Sequence, residues 1–248
     1  MAAALSRLFS RVTRVLIGAC CLIFALGPAS GLQQLYGTGE ALLAAQTAYF
    51  DHWGVVPNTL WSGKPRALFS PLTALFVHAN WLHLLGNVLF LYVFGGMAEE
   101  RMGRVPFIAF YLLTGAPAML CYAAVHAGSA EPLVGASGAI SAVLGGFLYL
   151  FPKARVTSLF PFLFFLPLRF PAWIVLVFWF ALQWMAARRG LDGPGVAYLA
   201  HVVGFALGFV YAWARYRGDR DQGDQGARGK RRDTLTVAAP QPEGDSQP

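Results

Sequence analysis

Three clusters of residues able to do chemistry lie in stretches free of Asp, Glu, Lys and Arg. They are His78-Ala-Asn-Trp-Leu-His83-Leu-Leu-Gly-Asn87, Gly135-Ala-Ser137-Gly138, and Ala200-His201-Val-Val-Gly204-Phe-Ala-Leu-Gly208. A serine hydroxyl is a weak nucleophile until a base takes its proton, and a neutral imidazole within hydrogen-bond reach does this. His83 and Asn87 are four residues apart, so on a helix they share one face and can both donate to a developing oxyanion. Gly135, Ala136, Gly138 and Ala139 remove bulk around Ser137, which lets a substrate backbone approach. They also free N–H groups at a helix start to aim at the same oxyanion. The residue types are those of a hydrolase.

The elements that must position them are membrane spans. The chain has 248 residues, with 19 Lys or Arg and 12 Asp or Glu against 56% hydrophobic residues. A soluble domain carries about twice that charge fraction, so a water-soluble fold and a largely disordered chain are both excluded. Six windows lack charge: Val15–Gly39, Ala67–Ala98, Val105–Ala130, Pro132–Pro152, Phe170–Ala187 and Gly193–Ala214. Each holds a span of about 20 residues, the fifth only just. Val156–Leu168 is also uncharged, but Pro161, Pro167 and Pro171 argue against a continuous helix, and it reads as an interfacial loop. The expected architecture is all-α: a polytopic six-transmembrane-helix bundle over residues 12–215. It has an N-terminal segment 1–11, an outer interfacial segment 40–66 and a disordered tail 216–248.

Six spans put both termini on one side. On that side fall Arg7, Arg11, Arg14, Arg101, Arg104, Lys153, Arg155, Arg169, Arg215, Arg217 and the basic tail; Lys64, Arg66, Arg188 and Arg189 fall opposite. Both termini are therefore expected in the cytoplasm. Arg7 to Ser30 also has the outline of a secretory signal peptide, but the apolar run continues through Gly31, Leu32 and Leu35, which favours a retained helix. With the termini inside, spans two, four and six all start at the outer face, so His83, Ser137 and His201 share one depth near the outer ends of their helices.

Each feature has a plainer explanation. Small residues from Gly135 to Ala142, with Gly145, Gly204 and Gly208, are what close helix packing in lipid requires. A lone serine in a span usually bonds back to its own helix, and a lone histidine is usually a partnered structural group. That reading is taken for His52 and His126. Packing alone does not account for Ser137, His201, His83 and Asn87 at one depth. His78, five before His83, is expected off its face. No Asp, Glu or Cys lies at that depth, so neither a metal nor a cofactor is expected. Cys20, Cys21 and Cys121 read as packing residues. Arg228, Lys230, Arg231 and Arg232 lack interleaved aromatics, so anionic lipid rather than nucleic acid is their expected partner. A transporter would show internal repeats or broken midplane helices, and neither is seen.

The ordered set of motifs resembles the rhomboid intramembrane serine proteases, in a bacterial form with a minimal six-span core. The matching pieces are His78-x4-His83-x3-Asn87, Gly95-Gly96-Met-Ala-Glu99-Glu-Arg101-Met-Gly103, Gly135-Ala-Ser137-Gly138 and Ala200-His201-x2-Gly204-x3-Gly208, covering roughly Phe69 to Trp213. The resemblance implies a Ser137 nucleophile and a His201 general base, a dyad without a third carboxylate. It implies an oxyanion hole of His83, Asn87 and the Ser137 N–H, and a structural pair, Glu99 and Arg101, tying an inner loop to neighbouring helices. Substrates would be single-span membrane proteins cut in or beside the bilayer, with the inner membrane as the expected location. Two positions depart from the family's habit. Ser141 stands where many bacterial rhomboids carry an aromatic that stacks on the catalytic histidine, leaving Phe147 or Phe205 to orient His201. Phe69-Ser70 stands where some relatives have Trp-Arg.

Overall fold

A computed structural model describes residues 10–62, 65–160, 166–190 and 197–237, of which 157–160, 166–168 and 219–237 by backbone alone. The described residues form a mostly helical bundle: α1 (Arg11–Leu26), α2 (Gly39–Trp53), α3 (Pro57–Leu60), α4 (Pro65–Thr73), α5 (Trp81–Phe90), α6 (Gly96–Met102), α7 (Arg104–Val125), α8 (Ser137–Leu150), α9 (Ala172–Arg188) and α10 (Tyr198–Val237).

Helix α8 is the axis. Its sequence, SGAISAVLGGFLYL, is apolar or small all round, which suits a helix surrounded by others, and every residue from Gly138 to Phe147 is buried. Helix α10 lies against it at backbone contact. A Cβ at Gly204 would run into the Gly138 carbonyl, one at Gly208 into the Ala142 carbonyl, and one at Gly145 into the Phe205 carbonyl. On the α7 side a Cβ at Gly115 would stand 2.6 Å from that of Ala139. In lipid, where no hydrophobic drive pushes helices together, such close approach supplies the dispersion contact that holds them. Larger side chains, among them Leu75, Phe107, Tyr111 and Phe147, fill the spaces around this axis.

The second charge-free window holds two helices where one span is expected. Helix α4 and a 3₁₀ turn (Ala74–Phe76) end at extended Val77, and a new helix starts after Asn80. The Asn80 side chain accepts from the His83 N–H at 2.8 Å, so the cap fixes the start of α5. From Trp81 the chain is helical to Met102, through a π-helical turn at Leu91–Gly95. Absence of charge does not reveal such a boundary; the cap residue does. Trp81–Met102 and Arg104–Val125 are each long and apolar enough to cross a membrane, while Ser137–Leu150 and Ala172–Arg188 are apolar but shorter.

The first window also ends early, α1 stopping at Gly27-Pro28 ahead of two 3₁₀ turns. The segment 40–66, expected at the interface, is largely helical as α2 and α3, and the Val55–Leu133 bridge ties it to the chain just ahead of α8. Val156–Leu168, expected as a loop, is instead mostly strand: β1 (Arg155–Phe160) pairs antiparallel with β2 (Leu166–Pro171). Both members of a two-stranded pair are edges, so the missing N–H groups of Pro167 and Pro171 are tolerated there. Helix α10 is described as far as Val237. Residues 1–9, the bulk of the expected N-terminal segment, and 238–248 lie outside the described residues.

Candidate active site

Ser137 is the first residue of α8, where backbone N–H groups have no partner within the helix. The turn before it needs glycine twice over. Gly135 has φ 122°, a conformation that L side chains rarely adopt. A Cβ there would also lie 2.6 Å from both Cε1 and Nε2 of His83. The His83 imidazole thus rests directly on the backbone leading into Ser137. One turn along α5, Asn87 donates from Nδ2 to the His83 carbonyl at 2.8 Å, which steadies its amide and leaves a second N–H on the same nitrogen.

His201 lies one turn into α10. Its ring is flanked by Trp179, with centroids 6.0 Å apart and planes tilted by 31°, and edge-on by Tyr198 at 6.3 Å. Its Nδ1 is 2.9 Å from Gln183 Oε1. Ser137, His201, His83 and Asn87 all line one cavity of about 200 Å³, together with Ser141, Trp179, Gln183 and an apolar wall of Leu82, Phe90, Ile140 and Leu144. The cavity is therefore lined by a hydroxyl, two imidazoles and a primary amide, and it opens onto the start of a helix. Those are the parts acyl transfer requires. Among the described residues no three His, Cys, Asp or Glu side chains form a group fit to hold a metal.

Two expectations need correction. His78 does lie beside His83, their rings 5.3 Å apart and edge-on, because it precedes the helix cap and helical spacing does not govern it. Phe147 and Phe205 do not flank His201. Phe147 meets Phe94 and Phe151, and Phe205 packs against Trp179 and Phe180, one layer away. The ring over His201 is instead Trp179 of α9, while the Ser141 hydroxyl donates to the Ser137 carbonyl at 2.6 Å. Neither Trp179 nor Gln183 belongs to the motifs, yet Gln183 carries a signal in the sequence: it is the only amide side chain in α9, and a polar residue in an apolar span implies a partner.

At the opposite end of the bundle Glu99 is buried and accepts from Val12 N–H at 3.0 Å, Thr13 N–H at 2.8 Å and Thr13 Oγ1 at 2.8 Å. It caps the start of α1 from another helix. The Arg101 guanidinium lies 4.9 Å from the centre of the Tyr216 ring on α10. Gly138 makes the Gly204 contact described above. Outside the site, His52 Nδ1 is 3.1 Å from Arg66 Nη1, and His126 stacks on Tyr122 at 4.2 Å.

Comparison with known proteins adds an independent line. Residues 65–218 match the Rhomboid domain family model. The chain is similar to the mitochondrial Rhomboid protein 1 of Saccharomyces cerevisiae, 32% identical over 185 residues, covering 70% of this chain and 51% of that one. It is similar to the chloroplastic Rhomboid-like protein 11 of Arabidopsis thaliana, 40% identical over 92 residues, 37% of this chain and 32% of that one. With the Rhomboid protease GlpG of Haemophilus influenzae it shares 25% identity over 201 residues, 81% of this chain and 90% of that one. The matched region thus spans about half the length of the first relative and a third of the second. The family match takes in every residue lining the cavity, and the chain belongs to the rhomboid family of integral membrane proteins.

Proposed function

We propose that the chain is an intramembrane serine endopeptidase that hydrolyses peptide bonds in or next to the transmembrane segments of single-span membrane proteins. The observation that carries this is the single cavity lined by Ser137, His201, His83 and Asn87. Ser137 Oγ attacks the scissile carbonyl as His201 takes its proton; His83, Asn87 and the Ser137 N–H hold the oxyanion. His201 then protonates the leaving amine, and water hydrolyses the acyl-enzyme by the same route in reverse. No cofactor enters the reaction. The apolar wall of the cavity suits a substrate arriving from lipid, and the polar ends of α5, α8 and α10 suit access by water. Charge distribution supports six spans over residues 12–215, cytoplasmic termini and a tail beginning near Tyr216, and the bacterial inner membrane is the proposed location.

The test is cleavage of a single-span reporter in proteoliposomes by the wild type, Ser137→Ala and His201→Ala. The expected result is cleavage by the wild type alone, with both variants folded. Persistent cleavage by both variants sinks the assignment.

A further inference from the structure

The dyad proposed above lacks the acidic third member that, in the serine triad, holds the histidine in one tautomer. An imidazole acts as base toward a hydroxyl only through a nitrogen that carries a lone pair, and in the neutral ring just one nitrogen does. Something must therefore place the proton on the other nitrogen. The atom facing His201 Nδ1 is Gln183 Oε1, at 2.9 Å. A carbonyl oxygen has no hydrogen to give, so with the amide in this orientation the contact forms only when Nδ1 carries the proton. Nε2 is then the nitrogen with the free lone pair.

We propose that Gln183 is a positioning residue that holds His201 in the Nδ1–H tautomer and so leaves Nε2 to take the Ser137 proton. This deepens the protease reading and rests on it for its catalytic meaning. The geometry around the bond supports the role. Gln183 and Trp179 are four apart on α9, so one face of that helix supplies both the acceptor and the ring lying over the imidazole. Tyr198 closes the edge. The imidazole is thereby fixed in plane by contacts and in tautomer by one hydrogen bond. Glutamine suits a site within lipid better than the aspartate of a soluble triad. It accepts the same hydrogen bond without the cost of a buried charge. The compromise is electrostatic: a neutral amide orients the base but stabilises the imidazolium of the transition state less than a carboxylate does.

The test uses the full chain with ¹⁵N-labelled histidine in detergent micelles, the His201 signals being assigned by difference from His201→Gln. The wild type is expected to show the proton on Nδ1, and Gln183→Met, which keeps the length but loses the acceptor, to show it on Nε2. In reporter cleavage Gln183→Met should lower kcat by ~10–100-fold with KM within about twofold, as loss of an orienting partner does. Gln183→Glu, which restores an acceptor, should recover most of that loss; simple damage to packing would not be rescued. A proton on Nε2 in the wild type, or wild-type kcat in a folded Gln183→Met, overturns the proposal. If the wild type neither cleaves nor reacts with a fluorophosphonate while Nδ1–H is seen, the protease reading falls and the tautomer assignment stands.

Discussion

Two buried polar groups at opposite ends of the bundle are used in opposite ways. Glu99 has both carboxylate oxygens engaged by Val12 and Thr13, closing the first turn of α1. Ser137, His201, His83 and Asn87 line a cavity instead, with Asn87 steadied by the His83 carbonyl and His201 by Gln183, each keeping a group for a visitor. In an apolar medium both arrangements satisfy the rule that a polar side chain needs a partner or a purpose. The difference teaches how to tell them apart: the structural group is saturated, and the candidate catalytic groups are oriented without being saturated.

The comparison breaks most clearly at the dyad. Ser137→Ala and His201→Ala should each lower reporter cleavage in proteoliposomes by ~10³-fold or more, since a unit of nucleophile and base fails as a whole. Thermal unfolding in micelles should move little. A variant that cleaves normally would mean that the cavity is not the site. Next in size are the donors. His83→Ala and Asn87→Ala should each reduce kcat by ~10–1,000-fold while leaving KM nearly unchanged, because an oxyanion exists only along the reaction path. A rise in KM alone would recast both as substrate-binding groups.

The structural end should respond in the other currency. Glu99→Ala leaves two N–H groups and a hydroxyl of α1 without their acceptor and should cost about 2–4 kcal/mol of stability, read by denaturant titration in micelles. Activity per folded molecule should be preserved; a specific loss of kcat would erase the distinction between the two ends. The smallest effect is expected at Ser141, whose hydroxyl only bonds back to Ser137 O on its own helix. Ser141→Ala should change stability by about 1 kcal/mol or less and cleavage by a few-fold at most. A large loss there would place Ser141 among the groups that act on substrate.

Legibility in the sequence followed the range of the interaction. The pairing of His83 with Asn87 was readable because both belong to one helix, where spacing fixes geometry. The glycine seats were readable as packing signals, though the carbonyl each one meets was not. Asn80 marks the start of α5, a boundary that the absence of charge does not show. The strand pair of Arg155–Phe160 with Leu166–Pro171 is hidden because proline argues equally against a helix and for an edge strand.

The sequence by itself determined that the chain is an apolar bundle with a few polar residues at one depth, because helix periodicity and the cost of charge in lipid act along the chain. The motifs also carried the family. Only the tertiary structure decided which side chains meet across elements: Glu99 with the start of α1, His78 beside His83, and Gln183 with Trp179 around His201. Such contacts join helices far apart in sequence. They depend on how closely the glycines of α8 and α10 let the backbones approach and on how α9 is turned, which no spacing along one chain records.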